Sequence, residues 1–320
     1  MANGGIPPEW SARFPEVARD KDHYESFYLK ASHPDEPRAV WIRYTVHKAP
    51  GRDATGSTWF TYFDRDSAPV ARKATVPGPR AGQGNYIEID GSSFGPGRAQ
   101  GSAEDASWDL ETVALTEPLM HLPKPWMYRA PIPRTKSISP APEASFSGIL
   151  KLGDRSVEVD GWRGMWGHNW GAEHAERWIW LHGLFAPGTW LDVVMGRIRI
   201  GGWTTPWIAN GALSLDGRRH RVGGIGKVRA TEVDEQVGSC GFTLPGEIPV
   251  RGTVGRSLDQ TVVWAYADPS GGEHHSLNSS LASMHLDCNG RTLLTQHGAV
   301  YELGIRETDH GLPVLPYPDG

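Results

Sequence analysis

The segment that decides the fold lies at the middle of the chain and reads Gly161-Trp162-Arg163-Gly164-Met165-Trp166-Gly167-His168-Asn169-Trp170-Gly171. Residues 157–161 lead into it as a strand and a turn, because valines alternate with acidic residues before a glycine. Residues 178–181 follow it and begin a new strand of tryptophan and aliphatic residues. We interpret this central segment as the seam between two halves and as the expected location of any chemistry.

Short strands and turns extend in both directions from the central segment. Aromatic and β-branched residues dominate 25–31, 38–46 and 57–63, which predicts an antiparallel hairpin and a third strand. The 39 glycines and 25 prolines are spread along 320 residues and indicate frequent turns. A sustained 3.6-residue period is absent from the sequence, apart from a short candidate helix at 172–176.

The predicted fold is all-β, with two tandem lipocalin-like antiparallel β-barrel or sandwich units and a pocket in or between them. The predicted domains are 1–172 and 173–320, and barrels of about eight strands can hold one small apolar ligand. A weak similarity between 27–29 and 179–181 is explained either by duplication of one β unit or by chance.

Two segments stand outside this pattern. Residues 1–22 are polar and contain prolines, which predicts an arm over the surface. Residues 117–142 contain seven prolines, which predicts an extended strap and argues against a central strand or a helix there.

Composition excludes several classes of partner. The net charge of -5 and the absence of a basic stripe argue against nucleic acid. Two distant cysteines predict neither a disulfide framework nor a zinc site, and they favour a reducing, cytoplasmic location. The first ten residues lack a secretory pattern, and no apolar run approaches the ~20 residues of a membrane span.

The 14 tryptophans favour a sizeable apolar cavity, because rigid aromatic side chains line a wall with little loss of rotamer entropy. His168 and Asn169 are the candidate catalytic pair, since imidazole moves protons near neutral pH and an amide orients a substrate oxygen. The alternative is that the polar residues here cap exposed backbone at a junction. We favour that structural role for His174 and Glu173. Glu173 is nevertheless included among the predicted substrate contacts.

Strand alternation places Glu25 on one face of the first hairpin and Tyr28 on the other. Arg43 lies on the facing strand. A Glu25–Arg43 ion pair could therefore form either inside a barrel or at the surface, where it would add little stability, and the sequence does not decide between the two. Trp108 beside Asp109 is a weaker candidate for an acid against an aromatic wall. Metal ligands and nucleotide cofactors are not predicted, because the histidine spacing and glycine pattern fit neither.

Several stretches resemble the carotenoid 1,2-hydratase (hydroxyneurosporene synthase) and AttH-like group, with tocopherol cyclases and fungal decalin-forming Diels–Alderases as more distant relatives. The similar stretches are 25–29, 38–44, 164–171 and 277–282, and the His-Asn-Trp-Gly segment is the most specific of them. The resemblance implies two lipocalin-like units and cofactor-free chemistry on long isoprenoid or polyketide chains.

The leading hypothesis is a cofactor-independent lyase or cyclase that hydrates, cyclises or rearranges a hydrophobic isoprenoid, polyene or polyketide. The rival is a lipocalin-like carrier of a lipid or pigment without chemistry, and the oligomeric state is left open. His168, Asn169 and Glu25 are the predicted catalytic residues. The predicted substrate contacts are Tyr28, Trp41, Arg43, Trp108, Trp162, Trp166, Trp170, Glu173 and Trp180.

Overall fold

The computed structural model describes residues 10–82 and 84–315, and almost all regular structure in them is antiparallel β-sheet. Four short 3-10 helices, Phe14–Glu16, Pro125–Tyr128, Ile225–Ala230 and Leu258–Gln260, interrupt the strands. Within these ranges no helix is long and apolar enough to cross a membrane. The candidate helix at 172–176 is not formed, and these residues connect two strands without regular structure.

The first sheet has 11 strands within the described ranges and spans residues 23–171. They are β1 (His23–Ser32), β2 (Arg38–Lys48), β3 (Thr55–Asp64), β4 (Ser67–Pro77), β5 (Ile87–Ile89), β6 (Ser92–Gly95), β7 (Arg98–Ala103), β8 (Ala106–Ala114), β9 (Leu119–Met120), β10 (Thr135–Leu152) and β11 (Arg155–Gly171). Their order is β4-β3-β2-β1-β11-β10-β8-β7-β6-β5, and β9 pairs with β10.

The second sheet has 10 strands within the same ranges and spans residues 177–305. They are β12 (Arg177–Ala186), β13 (Thr189–Arg197), β16 (Ile208–Leu215), β17 (Arg218–Gly223), β18 (Glu232–Glu235), β19 (Ser239–Leu244), β20 (Val250–Gly255), β21 (Val262–Ala267), β22 (Glu273–Cys288) and β23 (Arg291–Ile305). Their order is β17-β16-β13-β12-β23-β22-β20-β19-β18, with β21 paired to β22. A separate hairpin joins β14 (Arg199–Ile200) and β15 (Trp203–Thr204).

The two sheets share one topology. Four strands form a meander, and the last long strand of each half returns to pair with the first, β11 with β1 and β23 with β12. Tyr28 in β1 contacts Trp180 in β12 edge to face, with ring centroids 5.0 Å apart. These are the middle residues of the two similar triplets in the sequence. The all-β class with two lipocalin-like units is therefore confirmed, whereas the domain division at 172/173 stays a prediction.

Each sheet buries both faces because its side chains alternate between two cores. One face of the first sheet forms a core within its own half, around Phe27, Leu29 and Phe146. The second half has an equivalent core of its own around Ile179 and Leu213. The opposite faces pack against each other and share a third cluster that is rich in aromatic residues, with Tyr28, Trp41, Trp59, Trp178, Trp180, Trp264 and Tyr266 among its members.

Strand β10 corrects the prediction of an extended strap up to residue 142. The strand begins at Thr135 and lies between β11 and the β8 and β9 strands, although it contains Pro140 and Pro142. Its register with β11 shifts between Ile138 and Ala144. The prolines fall within these irregularities, where the ladder does not require every N–H group. The predicted surface arm spans residues 1–22, and the structure describes it only from residue 10 onward.

His182 connects the two halves at the shared face. Its Nε2–H donates to the carbonyl of Pro142 at 2.9 Å, and the ring is fully buried. Burial lowers the pKa of His182 to about 4. In the unfolded chain the imidazole binds a proton below about pH 6.5, whereas in the folded chain it does so only below about pH 4.

We expect the folded state to lose stability as the pH falls from about 6.5 to 4, by about 1 kcal/mol per pH unit from His182 alone. The His182→Gln variant keeps a donor near Pro142 but does not titrate, so its melting temperature should fall less steeply over this range. His285→Gln, at a half-buried histidine of β22, is the matched control. Equal slopes for His182→Gln and the unmodified protein would contradict this assignment.

Candidate functional site

A cavity of about 450 Å³ lies between the two sheets, and this volume is typical of small-molecule sites. Strands β1, β2 and β11 contribute one wall, and β12, β13 and β16 contribute the other. Its buried walls include Tyr24, Tyr28, Trp41, Arg43, His121, Trp178, Trp180, Tyr266 and Glu302. The cavity is therefore formed by both halves of the chain together.

Aromatic side chains form most of the cavity's inner wall. The rings of Trp178 and Tyr266 stack with centroids 6.1 Å apart, and Trp41 is only 2% exposed. Gly167 and Gly304 make this packing close, since a side-chain carbon added at either position would overlap the Tyr28 or the Trp178 ring, respectively. Such walls favour a flat or chain-like apolar ligand and can also stabilise a cation through the ring faces.

His174 and Asp268 form a hydrogen-bonded pair at one end of the cavity. His174 Nδ1 lies 2.7 Å from Asp268 Oδ1, and the backbone N–H of His174 donates to the same oxygen at 3.0 Å. The His174 ring lines the cavity and stacks on Tyr24, with centroids 4.0 Å apart. Its Nε2 is buried and has no hydrogen-bond partner among the described residues. This atom therefore has an unmet hydrogen bond in a residue of the cavity wall.

Electrostatics defines the protonation of this pair. Burial lowers the pKa of His174 and outweighs the opposite effect of the Asp268 carboxylate. Burial opposes ionisation of Asp268, but the hydrogen bond from His174 and the His274 ring, whose Nδ1 lies 3.4 Å from Asp268 Oδ2, hold its pKa below the ordinary value. At neutral pH the pair is therefore a neutral imidazole that donates Nδ1–H to a carboxylate. The lone pair is then on Nε2.

Arg43 and Asn169 provide polar groups beside the same aromatic wall. The Arg43 guanidinium lies 4.1 Å from the centre of the Tyr266 ring, and its Nε donates to Ser26 Oγ at 2.6 Å. Asn169 lines the cavity, and its Oδ1 has no hydrogen-bond partner within the described ranges. A cation and an amide near one imidazole can bind a polarised substrate oxygen and stabilise negative charge on it.

A second polar group, centred on Asp192 of β13, lies behind another part of the wall. Asp192 is fully buried and accepts hydrogen bonds from Ser139 Oγ at 2.6 Å and from Trp180 Nε1 at 3.3 Å. His121 bridges Ser139 and the carbonyl of Asn210, at 3.0 and 3.1 Å. Because the Ser139–Asp192 and His121–Asn210 bonds cross between the halves, we assign this group to holding the two sheets together.

His174, Asp268 and His274 are the described residues whose grouping could hold a metal ion, since their ligand atoms lie within 4.8 Å of one another. Two histidines and one carboxylate are a common ligand set for divalent transition metals. However, Arg306 Nη2 lies 3.3 Å from Asp268 Oδ2 and already places a positive charge on this carboxylate. The observed hydrogen bonds fit a proton-transfer pair better than a metal centre.

Half of the residues predicted from the sequence line this cavity. Tyr28, Trp41, Arg43, Asn169, Glu173 and Trp180 do so. The predicted contacts Trp108, Trp162 and Trp166 instead pack in the core of the first half. Trp170 is also absent from the cavity lining and lies beside His168, with ring centroids 4.6 Å apart.

Glu25 and His168 lie on the other face of the first sheet from the cavity. His168 Nε2–H donates to Glu25 Oε1 at 2.7 Å, and the backbone N–H groups of Arg13 and Phe14 donate to the same carboxylate. Burial opposes ionisation of Glu25, but the hydrogen bonds from His168 and His23 lower its pKa to about 2. The carboxylate anchors the N-terminal segment.

The hypothesis of a Glu25–Arg43 pair is wrong. Arg43 is opposite Tyr28 in the β1–β2 register, whereas Glu25 is opposite Val46. Residues at odd and even positions of β1 point to opposite faces, so the two charges lie on different sides of the sheet. The same parity separates His168 from Asn169, the two residues grouped as a catalytic pair.

Sequence reasoning missed Asp268, His274, Glu302 and Tyr266, and it assigned His174 to a structural role. Glu302 accepts hydrogen bonds from Trp178 Nε1 and Asn278 Nδ2, both at 2.9 Å. Strand alternation from Asn169 could have indicated the cavity face of β11. The approach of Asp268 to His174 had no local signal, since 94 residues separate them.

These features define a class: a β-protein of two similar units with an aromatic, partly charged ligand cavity between their sheets. No family model matches the chain. Two uncharacterized proteins of Mycobacterium tuberculosis, from strains CDC 1551 and H37Rv, are each 26% identical to it over 318 residues. Each match covers 93% of this chain and 91% of the relative.

Solved structures share the architecture over nearly the whole chain. A candidate AttH protein from Nitrosomonas europaea has a TM-score of 0.61 at 13% identity and covers 94% of this chain and 99% of its own. CghA, solved with Sch210972, has a TM-score of 0.61 at 13% identity and covers 89% and 88%. Kievitone hydratase from Nectria haematococca has a TM-score of 0.56 at 9% identity and covers 90% of both. At such identities these structures show the fold alone.

We expect His168→Ala to act on stability. The variant leaves the buried Glu25 carboxylate without its shortest side-chain partner, which costs about 3–5 kcal/mol of unfolding free energy for a buried pair. Urea denaturation measures this loss, and His285→Ala is the control. Ligand affinity per folded molecule should change by less than about threefold. Unchanged stability with lost ligand binding would place His168 in the functional site instead.

Proposed function

We propose that this protein is an enzyme that binds a hydrophobic small molecule between its sheets and transfers a proton within it without a cofactor. The observation that carries the proposal is the buried Nε2 of His174, which lacks a partner in the described structure while Nδ1 is held by Asp268. An imidazole that is oriented by a carboxylate at the wall of an apolar cavity is suited to general base and acid catalysis.

The proposed reaction is addition or loss of water at a carbon–carbon double bond, or the related cyclisation. In hydration the water oxygen bonds to one carbon while its proton passes to His174 Nε2. His174 then returns that proton to the other carbon, so atoms and electrons balance. Arg43 and Asn169 would stabilise an oxygen conjugated to the double bond, and this charge stabilisation is the largest contribution to many such reactions.

The substrate class follows from the cavity and from the resemblance. Walls of Trp41, Trp178 and Trp180 suit an isoprenoid, polyene or polyketide chain with few polar groups. One structural neighbour is named as a hydratase, and another was solved with a small molecule. Both facts support the enzyme class and leave the particular substrate open.

The rival function is a carrier that binds a lipid or pigment and releases it intact. A carrier needs the aromatic walls but does not need an unpartnered imidazole beside a guanidinium. Buried polar groups cost free energy when they are not paired, so their position at the cavity favours chemistry. Native mass spectrometry of freshly purified protein, followed by chromatography of the released ligand, separates the two functions, because a ligand of unchanged mass and unchanged retention time after incubation indicates a carrier.

We expect His174→Ala to lower the turnover of a converted polyene or polyketide that carries a carbonyl conjugated to the reacting double bond by about 10²–10⁴-fold, the usual contribution of a general base. Its affinity for the same compound should stay within about tenfold. Liquid chromatography with mass spectrometry measures product, and fluorescence quenching measures binding. His275→Ala, at a neighbouring buried histidine that pairs with His310, is the control. Product formation at the original rate by His174→Ala would contradict the assignment.

The pH profile gives an independent test of the pair. Burial lowers the pKa of His174, so the active neutral form persists through neutral pH and is lost only on the acid side of 6.5. Asp268 raises this pKa, and Asp268→Asn should therefore move the acid limb of the turnover profile to lower pH. A limb that does not move in Asp268→Asn would show that another group titrates.

A further inference from the structure

We propose that the mouth of the cavity is a docking surface for an anionic lipid bilayer, through which the protein takes up its apolar ligand. The mouth consists of three segments, residues 123–134, 197–207 and 224–230. Each contributes side chains to the lining of the same cavity, among them Trp126, Ile200 and Ile225. The role of the surface in ligand uptake rests on the proposed function, whereas docking itself does not.

The first observation is the exposure of large apolar side chains at the mouth. Trp126 is 64% exposed, Ile132 55%, Ile200 51% and Ile225 67%. Trp203 is 59% exposed and pairs with Ile200 across the small β14–β15 hairpin. Single exposed apolar residues are common, but a group around one opening indicates an interaction surface. Tryptophan and isoleucine are also the side chains that enter the boundary between lipid headgroups and acyl chains.

The second observation is the segregation of charge. Segment 123–134 contains three basic residues, segment 197–207 two and segment 224–230 two, and none of the three contains aspartate or glutamate. The chain as a whole carries a net charge of -5, so the segments of the mouth have the opposite sign of charge to the whole protein. A negatively charged bilayer attracts such a surface, and the attraction weakens as salt increases.

Acidic residues near the opening offset only part of this charge. Glu173 and Glu176 line the cavity, but each is paired with arginine. Arg134 forms an ion pair with Glu173, and Arg306 Nε lies 3.1 Å from Glu176 Oε2. Lys124, Lys227 and Arg229 are exposed and form no ion pair with another residue in the described part of the chain. Their charges are available to lipid phosphates.

The combination favours a bilayer over an acidic protein. A basic patch alone would suit either partner, but exposed side chains that surround an apolar cavity need an apolar phase beside them. A bilayer supplies that phase and holds long hydrophobic molecules that are too insoluble to diffuse through water. The mouth then connects two apolar environments, so that a ligand enters without crossing water.

The test uses the full chain and vesicles of phosphatidylcholine alone or with about one third phosphatidylglycerol, in a co-sedimentation assay. We expect binding to the anionic vesicles that decreases between 50 and 200 mM salt, as ~10 Å screening lengths predict. Lys227→Glu with Arg229→Glu should weaken it at least about tenfold, since each surface cation contributes about fivefold. Lys151→Glu with Arg251→Glu, at exposed positions away from the mouth, changes the net charge equally and should bind as the unmodified protein does.

The apolar contribution has its own matched pair of variants. Trp126→Ser with Ile200→Ser and Ile225→Ser should reduce vesicle binding at least about tenfold. Leu115→Ser with Ile149→Ser and Leu294→Ser replaces side chains that are 51%, 50% and 56% exposed elsewhere, and it should leave binding unchanged. Melting temperatures check that all variants fold, which is expected because the changed side chains are exposed.

Three outcomes would overturn the proposal: no binding to anionic vesicles, equal weakening by mouth and control variants, or mouth-dependent binding to a purified acidic carrier protein without vesicle binding. His174→Ala should bind vesicles like the unmodified protein. A protein that docks normally but converts no compound would therefore refute the proposed function and leave the docking surface standing. A protein that converts a compound but does not bind vesicles would refute the docking surface and leave the proposed function standing.

Discussion

The packing of two aromatic sheet faces against each other is the interaction on which the rest of the structure depends. One face of each sheet packs into the core of its own half, so the other face must be covered by another apolar surface. The two halves cover each other's second face through contacts that involve Tyr28, Trp59, Trp180 and Trp264. The cavity lies where this packing leaves space, and it therefore exists only while both halves are held together.

Polar groups between the sheets divide into two kinds. Asp192 is satisfied by donors from both halves and has no unmet hydrogen-bonding need that a ligand would fill. His174 keeps one ring nitrogen unpartnered within the described structure, although burial makes such an atom costly. His168 and His182 also each keep one buried ring nitrogen unpartnered within the described structure, but only His174 among these three lines the cavity. The unmet hydrogen bond together with the place in the cavity lining supports a role toward a ligand.

The proposed surface and the proposed chemistry fit a single ligand path. The cavity lining includes apolar side chains from the exposed mouth, such as Trp126 and Ile225, and from the buried wall, such as Trp178. An insoluble ligand could thus remain in contact with apolar surface from the bilayer to His174. This continuity also explains why the basic residues collect at the mouth in a chain whose net charge is negative.

The sequence by itself determined the all-β class, the two similar halves, the positions of the first three strands and the presence of an aromatic ligand cavity. These follow from local alternation and composition, which require no knowledge of distant contacts. Only the tertiary structure decided which face of each strand meets the other half. That choice separated Asn169 from His168 and Arg43 from Glu25, and it brought Asp268 to His174 across 94 residues. Adjacent residues of a strand always point apart, but the side that becomes a cavity depends on how two remote sheets pack.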